Sequence, residues 1–73
     1  MNLASVAVGA EARIQSVSTE SALALRLREM GVRPGAAIRV AGKAPAGARV
    51  IAIGAARIAM DRATCLEIEV VGA

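Results

Sequence analysis

Glu67 and Glu69 are the side chains whose type and spacing come nearest to chemistry. Two carboxylates on alternate positions of one strand share a face and could touch a divalent cation weakly. Little around them completes such a site. The chain has no histidine, the commonest transition-metal ligand and the commonest general base. Alternating glutamates also mark the solvated face of a half-buried strand, and that reading is favoured. Cys65 has no companion that would make a metal site or a reactive thiol, so it reads as a small buried apolar residue. Ser5, Ser16, Ser18 and Ser21 lack a neighbouring base, and no pair of carboxylates is fixed by a motif. Between Gly31 and Gly35 there is neither a Walker lysine nor a Gly-x-Gly-x-x-Gly run, so nucleotide hydrolysis would belong to a partner. The residues read as those of a non-enzyme.

Composition narrows the partners. Phe, Tyr and Trp are absent, which removes a stacking platform for single-stranded nucleic acid and an aromatic membrane belt. The net charge of +3 rests on eight arginines and one lysine. These are scattered from Arg13 to Arg62, as on several solvated faces, rather than gathered into a nucleic-acid stripe. Charged residues interrupt every run that could reach the ~20 apolar residues of a membrane span, so no direct membrane insertion is expected. The apolar N-terminus has no basic region ahead of it, and a single cysteine cannot form an internal disulfide, so a cytoplasmic protein is expected.

The elements that would position these residues must be small. Hydrophobic residues make up 56% of the 73, but eighteen of them are alanine, which allows one modest core and one domain, residues 1–73. Ala12 to Val17 has the β-branched content of a strand. Ser18, Thr19, Glu20 and Ser21 offer hydroxyl caps and a first-turn carboxylate for a helix over Ala22–Met30. Its apolar stripe would be Leu23, Leu27 and Met30, leaving Leu25 on the outer side. Gly31 stands where a left-handed residue ends a helix, and Pro34-Gly35 is type II turn chemistry. Strands follow around Ile38 and Val40, over Arg49–Ile53, and over Arg57–Met60, with a turn at Ala44-Pro45-Ala46-Gly47. Arg49–Ile53 is apolar on both faces and should be a central strand. Asp61 can cap one helical turn, and Leu66, Ile68 and Val70 alternate with the glutamates as a final strand. The fold class is mainly β: about five short strands in a barrel or sandwich, with one α-helix inserted after the first strand. Closure into a barrel would remove exposed sheet edges.

The segment Leu27-Arg28-Glu29-Met30-Gly31-Val32-Arg33-Pro34-Gly35-Ala36 resembles the "L-x-x-[LM]-G-[LVI]-x-P-G" signature of FeoA-type ferrous iron transport proteins. The opening positions Leu3, Val6, Gly9, Ala12, Ile14 and Val17 are similar to the start of that family, and the likeness continues through Ala44–Gly47, Ile58–Met60 and Ile68–Val70. It covers almost the whole chain. The chain departs from the family in having Gly54 one place before the usual glycine, Asp61 ahead of Arg62, and Cys65 where alanine is typical. The resemblance implies an SH3-like barrel and an accessory or regulatory role in ferrous iron uptake, beside the FeoB-type membrane transporter and its cytosolic G-protein domain. The same fold occurs in the C-terminal domain of iron-dependent repressors, so the alternative is a metal-responsive module that binds Fe²⁺ or another divalent metal weakly. A nucleic-acid-binding barrel is a third reading, supported by the basic pI alone.

The candidate partner-binding patch is Leu25 with Arg26, Arg28 and Arg33, apolar in the middle and basic around it. A lone exposed leucine is also ordinary on a soluble surface. Gly31, Pro34, Gly35, Pro45 and Gly47 are expected to set backbone geometry. SH3-style capture of proline-rich ligands needs aromatic residues and is not expected here. Oligomeric state is not legible.

Overall fold

The computed structural model describes residues 1–18 and 21–72. A 3₁₀ turn at Leu3–Ser5 leads into strand β1 (Glu11–Val17) and helix α1 (Ser21–Glu29). Strand β2 (Ala37–Lys43), a 3₁₀ turn at Pro45–Gly47, β3 (Arg49–Ile53) and β4 (Ala56–Met60) follow, and a short helix α2 (Arg62–Leu66) precedes β5 (Ile68–Gly72). The five strands form one antiparallel sheet in the order β4-β3-β2-β1-β5. The mainly β class and the helix after the first strand are as the sequence predicts.

Alternation fills the core. Ala12 and Ile14 of β1, Ile38 and Val40 of β2, and Ile68 and Val70 of β5 are buried, while Glu11, Arg13 and Arg39 face outward. In β3 the consecutive Ile51, Ala52 and Ile53 are all buried, as an interior strand requires. The register shifts at Gln15 in β1 and Ala41 in β2, where one extra residue enters each strand. Such bulges raise the local twist, which bends a small sheet around its core.

Helix α1 ends in a Schellman motif. The Val32 N–H donates to the Leu27 carbonyl at 2.8 Å and the Gly31 N–H to that of Arg28 at 3.0 Å, with Gly31 at φ +97°. Leu27 and Val32, brought together by the motif, are both buried. The next turn is fixed from β1: Gly35 donates to the Ile14 carbonyl, the Arg13 guanidinium donates to the Gly35 carbonyl at 2.6 Å, and Ala36 closes on Arg33 at 3.1 Å.

The structure corrects several expectations. Met30 is not part of a buried stripe: α1 stops at Glu29, the chain turns away at Gly31, and Met30 is left 44% exposed at the rim. Leu23 is half-buried and packs against the core, and Leu27 alone of the three is fully inside. The capping reading falls partly on Thr19 and Glu20, which lie outside the described residues. The last strand begins later than its alternation suggests. The Asp61 side chain accepts from the Thr64 N–H at 2.8 Å and starts α2, which carries Leu66 to the surface and makes Glu67 the helix C-cap. Finally, β4 and β5 end the sheet without pairing to each other. Between them in the chain, α2 packs against the Leu3–Ser5 turn and β5, and its own Cys65 is fully buried. Met1 and Asn2 cover the outer edge of β5, where the Val70 N–H donates to the Met1 carbonyl at 2.8 Å. Leu3 and Val6 thereby seal the core from the N-terminal side.

Candidate functional site

Leu25 lies on the solvent side of α1 and is 55% exposed. Arg28 and Arg33 are exposed near it in sequence, Arg28 on the helix and Arg33 in the turn that the Schellman motif and Pro34 direct outward. Arg26 belongs elsewhere. At 100° per residue it is on the Leu23–Met30 side of the helix, and it lines a groove of about 210 Å³ between α1 and β4 together with Leu23, Met30 and Ile58. The four candidate residues therefore divide into an outward face (Leu25, Arg28, Arg33) and one groove residue. Among the described residues the one ion pair is between the Met1 α-amino group and Glu69 at 3.4 Å, and none of these arginines is in one.

Glu67 and Glu69 do not share a strand face. Glu67 is exposed at the end of α2, whereas Glu69 lies in β5 opposite Ser16 and is used by the Met1 ion pair. No group of three or more Cys, Asp or Glu gathers among the described residues in a way that could hold a metal ion. With no histidine in the chain, this donor set does not fit a resident Fe²⁺. Burial pushes the Cys65 thiol up, partly offset by the charge of Arg49, and its Sγ faces the Met60 carbonyl at 4.0 Å, so it is a protonated core residue.

Gly31, Pro34 and Gly35 act as backbone devices, as described. The second turn does more. Gly47 has φ +80°, and a Cβ added there would lie 2.8 Å from Cδ of Arg62, so the bare glycine makes room for that side chain. Arg62, Lys43 and Arg49 line a pocket of about 250 Å³ with Ala4 and, from the hairpin turn, Ala44, Gly47 and Ala48. Sequence reasoning missed this cluster. Its one local signal is Lys43 and Arg49 flanking a turn of hairpin length, which makes them cross-strand neighbours.

These features define a class first: a small, mainly β module whose exposed basic surfaces, rather than a catalytic constellation, are its distinctive chemistry. No helix among the described residues is long and apolar enough to cross a membrane. The family follows from comparison, for the FeoA domain model matches residues 1–71, and the chain belongs to the FeoA family. The FeoA protein of Chlorobium tepidum superposes with a TM-score of 0.93 at 29% identity, over 99% of this chain and 70% of that one. Iron(II) transport protein A of Clostridium thermocellum gives 0.89 at 32% identity, over 99% of this chain and 45% of that one. The zinc-complexed FeoA of Stenotrophomonas maltophilia, a prokaryotic SH3 domain protein put forward as a ferrous iron transport activating factor, gives 0.82 at 28%, over 96% and 88%. The fold is thus the SH3-like barrel that the sequence resemblance implies. No curated protein sequence matches the chain.

Proposed function

We propose that this chain is a non-catalytic accessory factor of ferrous iron uptake, acting by contact with the cytosolic part of a FeoB-type transporter. The observation that carries the reading is Leu25, more than half exposed on the outer side of α1, with Arg28 one turn along the helix and Arg33 in the turn that follows it, neither of them in an ion pair among the described residues. An apolar centre with a cationic surround suits an acidic, partly apolar patch: the leucine supplies the desolvated contact, and the arginines supply steering and register. Membership of the FeoA family and the activating role put forward for the S. maltophilia protein support the same direction. The test is a titration of the full chain with the transporter's soluble domain, with and without GTP analogues. Replacing Leu25 and Arg28 together with serine is expected to weaken binding at least about tenfold, or 1.4 kcal/mol. Absence of association in every nucleotide state would remove the reading.

A weak response to divalent metal is the second reading, favoured by the zinc held in the S. maltophilia relative. Because Glu67 and Glu69 are apart here, such a site would need ligands from a second molecule. Anaerobic calorimetry with Fe²⁺ separates the two readings, since the docking model predicts no heat of binding in the absence of the partner.

A further inference from the structure

The pocket at the end of the β2–β3 hairpin breaks two local rules at once. Lys43 and Arg49 are directly opposite in the ladder, a like-charge cross-strand pair, which is a destabilising arrangement. A third cation, Arg62, is then packed onto the same hairpin turn over Gly47, the residue whose missing side chain admits it. Neither feature relieves the other. Three positive side chains drawn from two strands and a helix line one concavity, and no carboxylate among the described residues pairs with any of them. Asp61, the nearest acid in sequence to Arg62, is engaged as the α2 cap by Thr64. Arg49 is held in place, its guanidinium donating to the Val6 carbonyl. Conflicts between local preference and global fold concentrate at functional positions.

We propose that this pocket, between Lys43, Arg49 and Arg62, binds a phosphate-class oxyanion, the phosphoryl end of a small anionic molecule. The chemistry is that of charge-assisted hydrogen bonds from two guanidinium groups and an ammonium to tetrahedral oxygens. The cavity of about 250 Å³ falls below the roughly 300–1,000 Å³ typical of drug-sized ligands, so it suits phosphate or pyrophosphate rather than a whole nucleoside. With no aromatic residue in the chain, there is also nothing on which a base could stack. The anion would relieve the repulsion between Lys43 and Arg49 and join the hairpin to α2. This site is distinct from the Leu25 face of α1.

The same oxygens are offered by free phosphates and by lipid headgroups, and the experiment separates them. The ¹⁵N-labelled full chain is titrated at constant ionic strength with inorganic phosphate, with pyrophosphate, and with vesicles of phosphatidylglycerol against phosphatidylcholine. The expected result is a saturable shift of amides from Lys43 to Arg49 and around Arg62, with pyrophosphate binding more tightly than phosphate, in the range of about 0.1–10 mM. The double variant Lys43→Gln/Arg62→Gln should weaken it at least tenfold. Arg39→Gln/Arg57→Gln removes the same charge from exposed positions of β2 and β4 outside the pocket and should leave it unchanged. Binding to phosphatidylglycerol vesicles that the first variant alone abolishes, without shifts from free phosphates, would assign the oxyanion to a lipid headgroup. Equal losses in both variants, or no saturable shift with any probe, would overturn the proposal.

Discussion

Around α1, Arg28 and Arg33 project into solvent from a helix and the turn after it, whereas Lys43, Arg49 and Arg62 converge on one pocket from two strands and a second helix. The residue types are nearly the same. The difference lies in what holds them. The first set rests on local structure, a Schellman motif followed by a type II turn, and offers an open face around Leu25 suited to a protein. The second set depends on long-range pairing, and offers a concavity suited to a small anion. Five of the nine basic residues thus fall into two groups that differ in geometry, one on an open face and one around a pocket, which a single net charge of +3 conceals.

The strongest way to separate the two regions acts on their shared foundation. Leu3, fully buried in the 3₁₀ turn whose Ala4 lines the cation pocket, should cost about 2–5 kcal/mol when replaced by alanine. For a chain of this size that is a large share of a total of about 5–15 kcal/mol. Urea unfolding measures it, and hydrogen exchange should show the hairpin from Lys43 to Arg49 opening before α1 does. The reverse order would mean that the N-terminal turn does not support the pocket.

The two turns provide the next contrast. Gly35 has φ +92° with open space where a Cβ would go, so Gly35→Ala carries the left-handed strain alone, about 1–2 kcal/mol. Gly47→Ala carries similar strain and the close approach to Arg62, and should cost more. Truncating Arg62 to alanine in the same chain removes the 2.8 Å approach of Cδ but keeps Cβ at 3.3 Å, so it should recover part of the excess at Gly47 and leave Gly35→Ala unaffected, a coupling that a double-mutant cycle reads directly.

Leu25→Ser with Arg28→Ser should change unfolding free energy by no more than about 1 kcal/mol, because both side chains are exposed and each position contributes about 0.5 kcal/mol at most. A larger loss would make Leu25 a structural residue and remove the contrast between docking face and framework. The last effect is read against pH, at Asp61. Hydrogen bonds from Thr64, side chain first and backbone second, hold its carboxyl below the ordinary value of 3.8. A lowered folded value contributes stability that is present above 3.8 and is lost as pH falls through the folded value. Asp61→Ala should therefore lower Tm slightly at pH 7, and the two melting curves should converge under acid conditions.

The same division governs what the sequence reveals. Helix α1, its glycine stop and the Pro34-Gly35 turn are legible because capping, helix propensity and turn chemistry act over a few residues. The Asp61 cap is equally local. Its consequence for Leu66 and Glu67 was obscured because Leu66, Ile68 and Val70 alternate as a strand would, while α2 runs on through Leu66. Leu3 and Val6 carry no periodic signal in so short a 3₁₀ segment, so their place in the core becomes visible only once β5 and α2 close over them. Leu25 is recognisable as an outward residue from helical spacing. The cation pocket is less so, because its three members are separated by up to nineteen positions in sequence and meet only when β2, β3 and α2 are assembled.

The docking reading is tested most directly by titrating the soluble domain of a FeoB-type transporter into the wild-type chain, the Leu25→Ser/Arg28→Ser variant and the Lys43→Gln/Arg62→Gln variant. The first variant should lose at least about tenfold in affinity while the second binds as the wild type does. Undiminished binding by the first variant, or a loss confined to the second, would contradict it.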